Sequence, residues 1–177
     1  MAFAISLKAA NSTADPVWAL WAEISRLESQ PSMAALDYAP HITLAVYDDI
    51  DPGRLRTVLA EAFTGASALR LTFTRLRFFD NIPLVLWVDP SLTQALAGAH
   101  ARVHARIDPG LCRPHYRPGA WVPHCTLGAQ ITAEHRDEAI AFAARPIVAF
   151  EVIFDVVDCV SFPPVVVIAE RPLSGPE

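Results

Sequence analysis

The sequence predicts an α+β protein of two related lobes, each a β-α-β-α-β series, with two antiparallel-rich sheets flanking a central cleft and the helices outside. Three observations carry this. Strand-like and helix-like segments run through one order and then begin it again, and a five-residue string recurs at the same place in both series. A chain of 177 residues, 53% of them hydrophobic, suits one domain of ordinary size or two small lobes sharing a core. Lobe one is expected at about 1–81 and lobe two at about 82–177, together forming a single bilobal unit.

The first series opens with a strand, Ala2 to Lys8. Asp15 followed by Pro16 supplies a helix cap with proline at the first helical position, and a helix follows to about Ser29. Pro40 introduces the β-branched and apolar run His41 to Tyr47, a second strand, and Asp48 to Gly53 turns the chain. Leu55, Val58, Leu59 and Ala62 recur at helical spacing, and Leu69 to Phe79 reads as the third strand before a turn at Asp80-Asn81.

The second series repeats this order. Pro83 to Val88 is a strand, Ser91 caps a helix to about Ile107, and a proline-rich loop leads to a strand from His124. A helix covers Glu134 to about Ala144, a β stretch covers Val148 to Val160, and a last strand after Pro163-Pro164 ends near Arg171.

Composition narrows the function. Net charge is −5, which repels long polyanions and disfavours a general nucleic-acid coat, long duplex partners or an anionic membrane surface. Apolar runs such as Leu84 to Val88 and Val165 to Ala169 fall far short of the roughly 18 residues a membrane span needs. The only early basic residue, Lys8, follows the first apolar stretch, which reverses the charge order of a secretory signal, so a cytoplasmic protein is expected. Cys112, Cys125 and Cys159 fit neither a disulfide framework nor a zinc cluster and read as reduced, buried thiols.

Shifting the chain by 83 positions lays Pro40-His41-Ile42-Thr43-Leu44 on Pro123-His124-Cys125-Thr126-Leu127. One such string arises by chance on the order of once in a hundred thousand positions, so two in register are not accidental. A single copy would read as a strand start bonded to a loop. Side chains alternate along a strand, so His41 and Thr43 share one face while Ile42 and Leu44 take the other, and His124 and Thr126 repeat this. With the apolar face under helices, each His-Thr pair points outward, and a pseudo-two-fold axis brings both pairs to one cleft. Two imidazoles there suit chemistry that takes one proton and gives another, and two threonine hydroxyls can hold the non-bridging oxygens of a phosphate. Such chemistry requires no metal and no cofactor.

With its HITL at 41–44 and HCTL at 124–127, the sequence resembles the 2H phosphoesterases, the LigT-like or 2′-5′ RNA ligase family, over nearly the whole chain in strand-helix order. The resemblance implies a bilobal α+β fold and metal-independent hydrolysis of a 2′,3′-cyclic phosphate or 2′-5′ linkage on a small nucleotide or RNA end. It also implies His41 as proton donor and His124 as acceptor, although the pseudo-symmetry leaves the two exchangeable on sequence grounds. A monomer is expected. The rival reading is a non-catalytic nucleotide- or RNA-end-binding module on the same fold.

Further candidates for substrate contact are Tyr47, on the strand face of His41 and Thr43, and Arg113, Tyr116, Arg117 and Trp121 in the loop entering the second motif. His100 to Arg117 holds four arginines against Asp108 alone, a basic stretch suited to a phosphate-facing rim, although Arg102 and Arg106, one turn apart, also fit a solvated helix face. Trp18, Trp21, Phe78, Phe79 and Trp87 read as packing. His100 and His104, four apart on a helix, lack the glutamate of a metalloprotease motif and read as surface histidines.

Overall fold

The computed structural model of the chain describes residues 1–175. Its eight strands are β1 (Ala2–Lys8), β2 (His41–Tyr47), β3 (Leu69–Phe79), β4 (Leu84–Pro90), β5 (Cys125–Ile131), β6 (Pro146–Phe154), β7 (Val156–Phe162) and β8 (Val166–Pro172). Four helices accompany them: α1 (Asp15–Ile24), α2 (Pro52–Ala62), α3 (Gln94–His104) and α4 (Arg136–Ala143). The caps differ in detail from expectation. Asn11 caps a 3-10 turn that leads into α1, and Thr93 rather than Ser91 accepts from Leu96 N to start α3. Asp51 caps α2 by accepting from Arg54 N, with Pro52 at the first turn. The expected Val148–Val160 stretch is two strands broken at Asp155, whose N–H leaves the ladder to bond Lys8 O while its carbonyl receives Leu173 N.

All eight strands form one antiparallel sheet in the order β6-β3-β4-β5-β2-β1-β7-β8, where the sequence predicts two. The expectation fails narrowly. At the centre, β2 and β5 are paired only at Ile42 and Cys125, whereas every other neighbouring pair holds a longer ladder. The sheet is therefore two four-stranded halves joined by one residue pair, and both motifs lie along that seam.

The two half-sheets do not follow the order of the chain. β3 crosses to pair with β4 and β6, while β7 and β8 return to the β1 side, so each half of the sheet draws on both halves of the chain. A tight antiparallel hairpin at 80–83 ties β3 to β4 and makes this the short route. Helices cross likewise: α1 packs on β5 and α3 on β2, while α4 covers β3 and β4 and α2 covers β7 and β8. They cover the face that carries Ile42, Leu44, Cys125 and Leu127, all fully buried, which leaves the histidine-bearing face open. Among the described residues, no helix is long and apolar enough to cross a membrane.

Candidate active site

In each motif the leucine is an extra residue in its strand. Ser6 pairs with Thr43 and Ile5 with Ala45, so Leu44 has no partner; Trp87 pairs with Thr126 and Leu86 with Gly128, so Leu127 has none. These bulges end the outward-facing His-x-Thr pattern and turn the strand's next residues over, which increases local twist beside the seam. Tyr47 is the casualty of strict alternation. It is fully buried in the main core, bridged by Cys112 and covered by the loop whose Arg113 N–H bonds Val46 O, so it is no substrate contact.

Both histidines are held alike. His41 Nδ1 lies 3.1 Å from Ala39 O, and His124 Nδ1 lies 2.7 Å from Val122 O, in each case the carbonyl two residues back. A carbonyl only accepts, so Nδ1 carries the proton in both rings and Nε2 is left for chemistry. Neither Nε2 has a protein partner among the described residues, and neither is sealed from solvent. Burial is the main cause that pushes the His41 imidazole down to about 4; its bond to Ala39 opposes the shift, and the charges of His124 and Lys8 add to it. Burial likewise lowers His124 against its bond to Val122. Each ring thus rests neutral, with a lone pair on Nε2, and the two are close enough to feel each other's charge.

The threonines are anchored through their backbones. Trp121 Nε1 donates to Thr43 O at 3.0 Å, and Trp21 Nε1 donates to Thr126 O at 2.9 Å. Trp121 is thus a brace under the first motif; it also stacks on His100 at 4.1 Å with the rings 6° apart. Ser6 Oγ donates to Thr43 Oγ1 at 3.4 Å, at the long limit for such a bond.

The walls beside the two histidines differ. Lys8, the cross-strand partner of His41, is buried with Asp158 at 3.1 Å and Glu170 at 2.9 Å, and Tyr38 Oη donates to Asp158 at 2.7 Å. The Tyr38 ring meets His41 at 4.8 Å. Next to His124 stand Phe79 at 5.0 Å and Trp87 at 5.8 Å. None of Lys8, Tyr38, Phe79 and Trp87 was expected at the site; their one sequence signal is strand alternation, which sets Lys8 and Trp87 on the outward face of β1 and β4.

The loop candidates are occupied elsewhere. Arg113 pairs with Asp48, and Arg117 donates to Cys112 O at 2.8 Å and Gly110 O at 2.9 Å, closing its own loop. Tyr116 packs against the core, and its carbonyl receives His100 Nε2 at 2.8 Å. Arg102 and Arg106 line a separate cavity of about 720 Å³ bounded by the end of α2, α3 and the start of β3, so they form no rim to the motif cleft. His100 and His104 are buried rather than on the surface, and among the described residues no three metal-ligating side chains converge.

A family model described as the 2′-5′ RNA ligase superfamily matches residues 14–163. No curated protein matches the chain. Among solved structures, TT0787 of Thermus thermophilus superposes with a TM-score of 0.62 at 15% identity, covering 99% of both chains. E. coli LigT in its apo form gives 0.60 at 13% identity, covering 97% of this chain and 96% of that one. The E. coli LigT complex with 3′-AMP gives 0.64 at 12% identity, with the same coverage. At such identities the likeness is one of fold.

Proposed function

The chain belongs to the 2′-5′ RNA ligase superfamily, and from that premise we propose that it is a phosphodiesterase acting on a 2′,3′-cyclic phosphate or a 2′-5′ linkage at a nucleotide or RNA end. The observation that carries the reading is the mirrored tether of His41 and His124, which leaves two Nε2 atoms free across one seam. One Nε2 takes the proton of the entering water or hydroxyl as its oxygen bonds to phosphorus. The other takes up a proton from solvent as the anionic phosphate binds beside it, and gives that proton to the ribose oxygen as the P–O bond breaks. Thr43 and Thr126 hydroxyls donate to the non-bridging oxygens, where negative charge accumulates. Two proton-transfer groups suffice, and no step calls on a metal.

Small nucleotide ligands fit this reading, since E. coli LigT has been crystallised with 3′-AMP and with ATP. The proposal extends to a monomer working in the cytoplasm. The test is turnover of nucleoside 2′,3′-cyclic phosphates and 2′-5′ dinucleotides in EDTA. The wild type is expected to hydrolyse at least one of them, and His41→Ala or His124→Ala is expected to lose roughly 10² to 10⁴-fold in kcat with far less change in binding. Nucleotide binding without turnover would replace the enzyme by a binding module. Near-normal turnover in both folded variants would remove the two histidines from the chemistry.

A further inference from the structure

The repeated string extends one informative position beyond Pro-His-x-Thr-Leu. Tyr38 stands three residues before His41 and Trp121 three before His124, so each motif reads aromatic-x-Pro-His-x-Thr-Leu. The residue between the aromatic and the proline, Ala39 or Val122, supplies the carbonyl that accepts from the histidine Nδ1. Proline fixes its own φ and keeps the residue before it extended, so the direction of that carbonyl depends on where the chain is held on either side. On one side the strand holds it, since His41 pairs with Lys8 and Cys125, next to His124, pairs with Ile42. On the other side stands the aromatic residue.

Each of these rings carries one polar donor, and both donors are spent on the protein. Tyr38 is buried, and its Oη donates at 2.7 Å to Asp158, which Lys8 faces at 3.1 Å. The Lys8 ammonium also lies 5.3 Å from the centre of the Tyr38 ring. Trp121 Nε1 donates at 3.0 Å to Thr43 O, and its ring stacks on His100, whose Nε2 lies 2.8 Å from Tyr116 O. The anchors therefore differ in kind. Tyr38 is tied to a carboxylate of β7, whereas Trp121 reaches across the seam, from the segment that holds His124 to the threonine of the first motif. A phenylalanine would fill nearly the same space at either place, so the polar atom is what fastens the segment.

We propose that Tyr38 and Trp121 are positioning residues: by anchoring the chain three residues before each histidine, they hold the Ala39 and Val122 carbonyls on Nδ1 and so keep a lone pair on each Nε2. Their contribution to turnover rests on the phosphodiesterase reading above; their hold on the tautomer does not. An imidazole released from its carbonyl shifts its proton toward Nε2, the form favoured in free histidine. A neutral ring in that form cannot accept the proton of the entering oxygen.

Long-range proton–nitrogen NMR spectra of the imidazoles read the tautomer directly, with signals assigned by their loss in His41→Ala and His124→Ala. At neutral pH both histidines of the wild type should show the Nδ1–H pattern. Tyr38→Phe, which removes only the hydroxyl, should shift His41 toward Nε2–H and leave His124 unchanged, and Trp121→Phe should do the reverse. Lys8→Met with Asp158→Leu removes the Tyr38 acceptor without stranding a charge and should act on His41 as Tyr38→Phe does. On nucleoside 2′,3′-cyclic phosphates each variant should lose up to about 10²-fold in kcat with little change in KM, as a misplaced catalytic group does. A histidine that keeps its wild-type tautomer when its own anchor is cut overturns the proposal. So does an equal change in both histidines, the mark of general loosening, and so does full turnover despite an altered tautomer. A wild type that turns over none of these phosphates defeats the phosphodiesterase reading by itself, and the spectra then decide the positioning alone.

Discussion

Lys8 is the only lysine of the chain, and every other basic side chain apart from the histidines is arginine. The residue is 8% exposed, and its compact ammonium lies between Asp158, which is fully buried, and Glu170. Burial alone would lower the Lys8 pKa, but the Glu170 bond and the Asp158 charge outweigh it and raise the value, so the cation persists. Removing it strands the buried carboxylate, which typically costs about 3–5 kcal/mol. Lys8→Met should therefore lower stability by that order in urea titrations, and Lys8→Met combined with Asp158→Leu should recover most of the loss. The two motif histidines carry a second expectation. Both are held below the ordinary value of 6.5, chiefly by burial, so the acid limb of kcat/KM for the free enzyme should fall below pH 6.5. A pH–rate profile whose acid limb lies above that value would contradict the burial seen here. Of these residues, His41, Thr43, His124 and Thr126 are legible in sequence because the string repeats. The Lys8 network is not, because Asp158 joins it only through the return of β7 to β1.

Each motif strand owes its usefulness to a one-residue irregularity at Leu44 or Leu127. Period-two reasoning places His41 and Thr43 correctly and misplaces Tyr47, since a bulge has no signature in a run of apolar residues. Gly128, just after the second bulge, is a place where this geometry can be probed. A Cβ there would stand 2.7 Å from Ile24 Cγ2 and 3.2 Å from the Glu28 carboxylate, which itself receives Gln130 N and Ser32 N. Gly128→Ala should push α1 from β5, lower the melting temperature by several degrees and weaken the Trp21 bond to Thr126 O, read as a change in tryptophan fluorescence. Behind the first motif, the His104 and His100 rings lie 4.4 Å apart with their planes tilted by 53°, and neither ring nitrogen of His104 has a hydrogen-bond partner among the described residues. Burial lowers both values. Above pH 6.5 the folded and unfolded chains both keep these rings neutral; below it the unfolded chain takes up protons first, and stability falls. Denaturation midpoints should be level above about pH 7 and decline between 6.5 and 5, with a shallower decline in His104→Leu.

Across the whole molecule, the single pair Ile42–Cys125 is all that carries the backbone ladder from one half-sheet to the other. Amides of β2 and β5 that face the seam away from that pair should exchange hydrogen faster than amides of the same strands that face β1 and β4, and inorganic phosphate should slow them if it binds across the two motifs. Much of this architecture is legible in advance. The α+β class and the alternation of strands and helices follow from pattern, whereas the places of β3 and β7 in the sheet do not, because periodicity marks a strand without naming its neighbour. Those places govern how the chain acquires its shape. β1 finds one neighbour, β2, within the first fifty residues, but its other neighbour, β7, starts at Val156, so the inner edge of that half-sheet stays unpaired while a ribosome emits the intervening hundred or so residues. A nascent chain stopped anywhere before β7 presents an open apolar strand to its surroundings. Late closure of that edge is thus written into the strand order, and amides of β1 that face β7 are expected among the last to gain protection when refolding is followed by pulse-labelled hydrogen exchange.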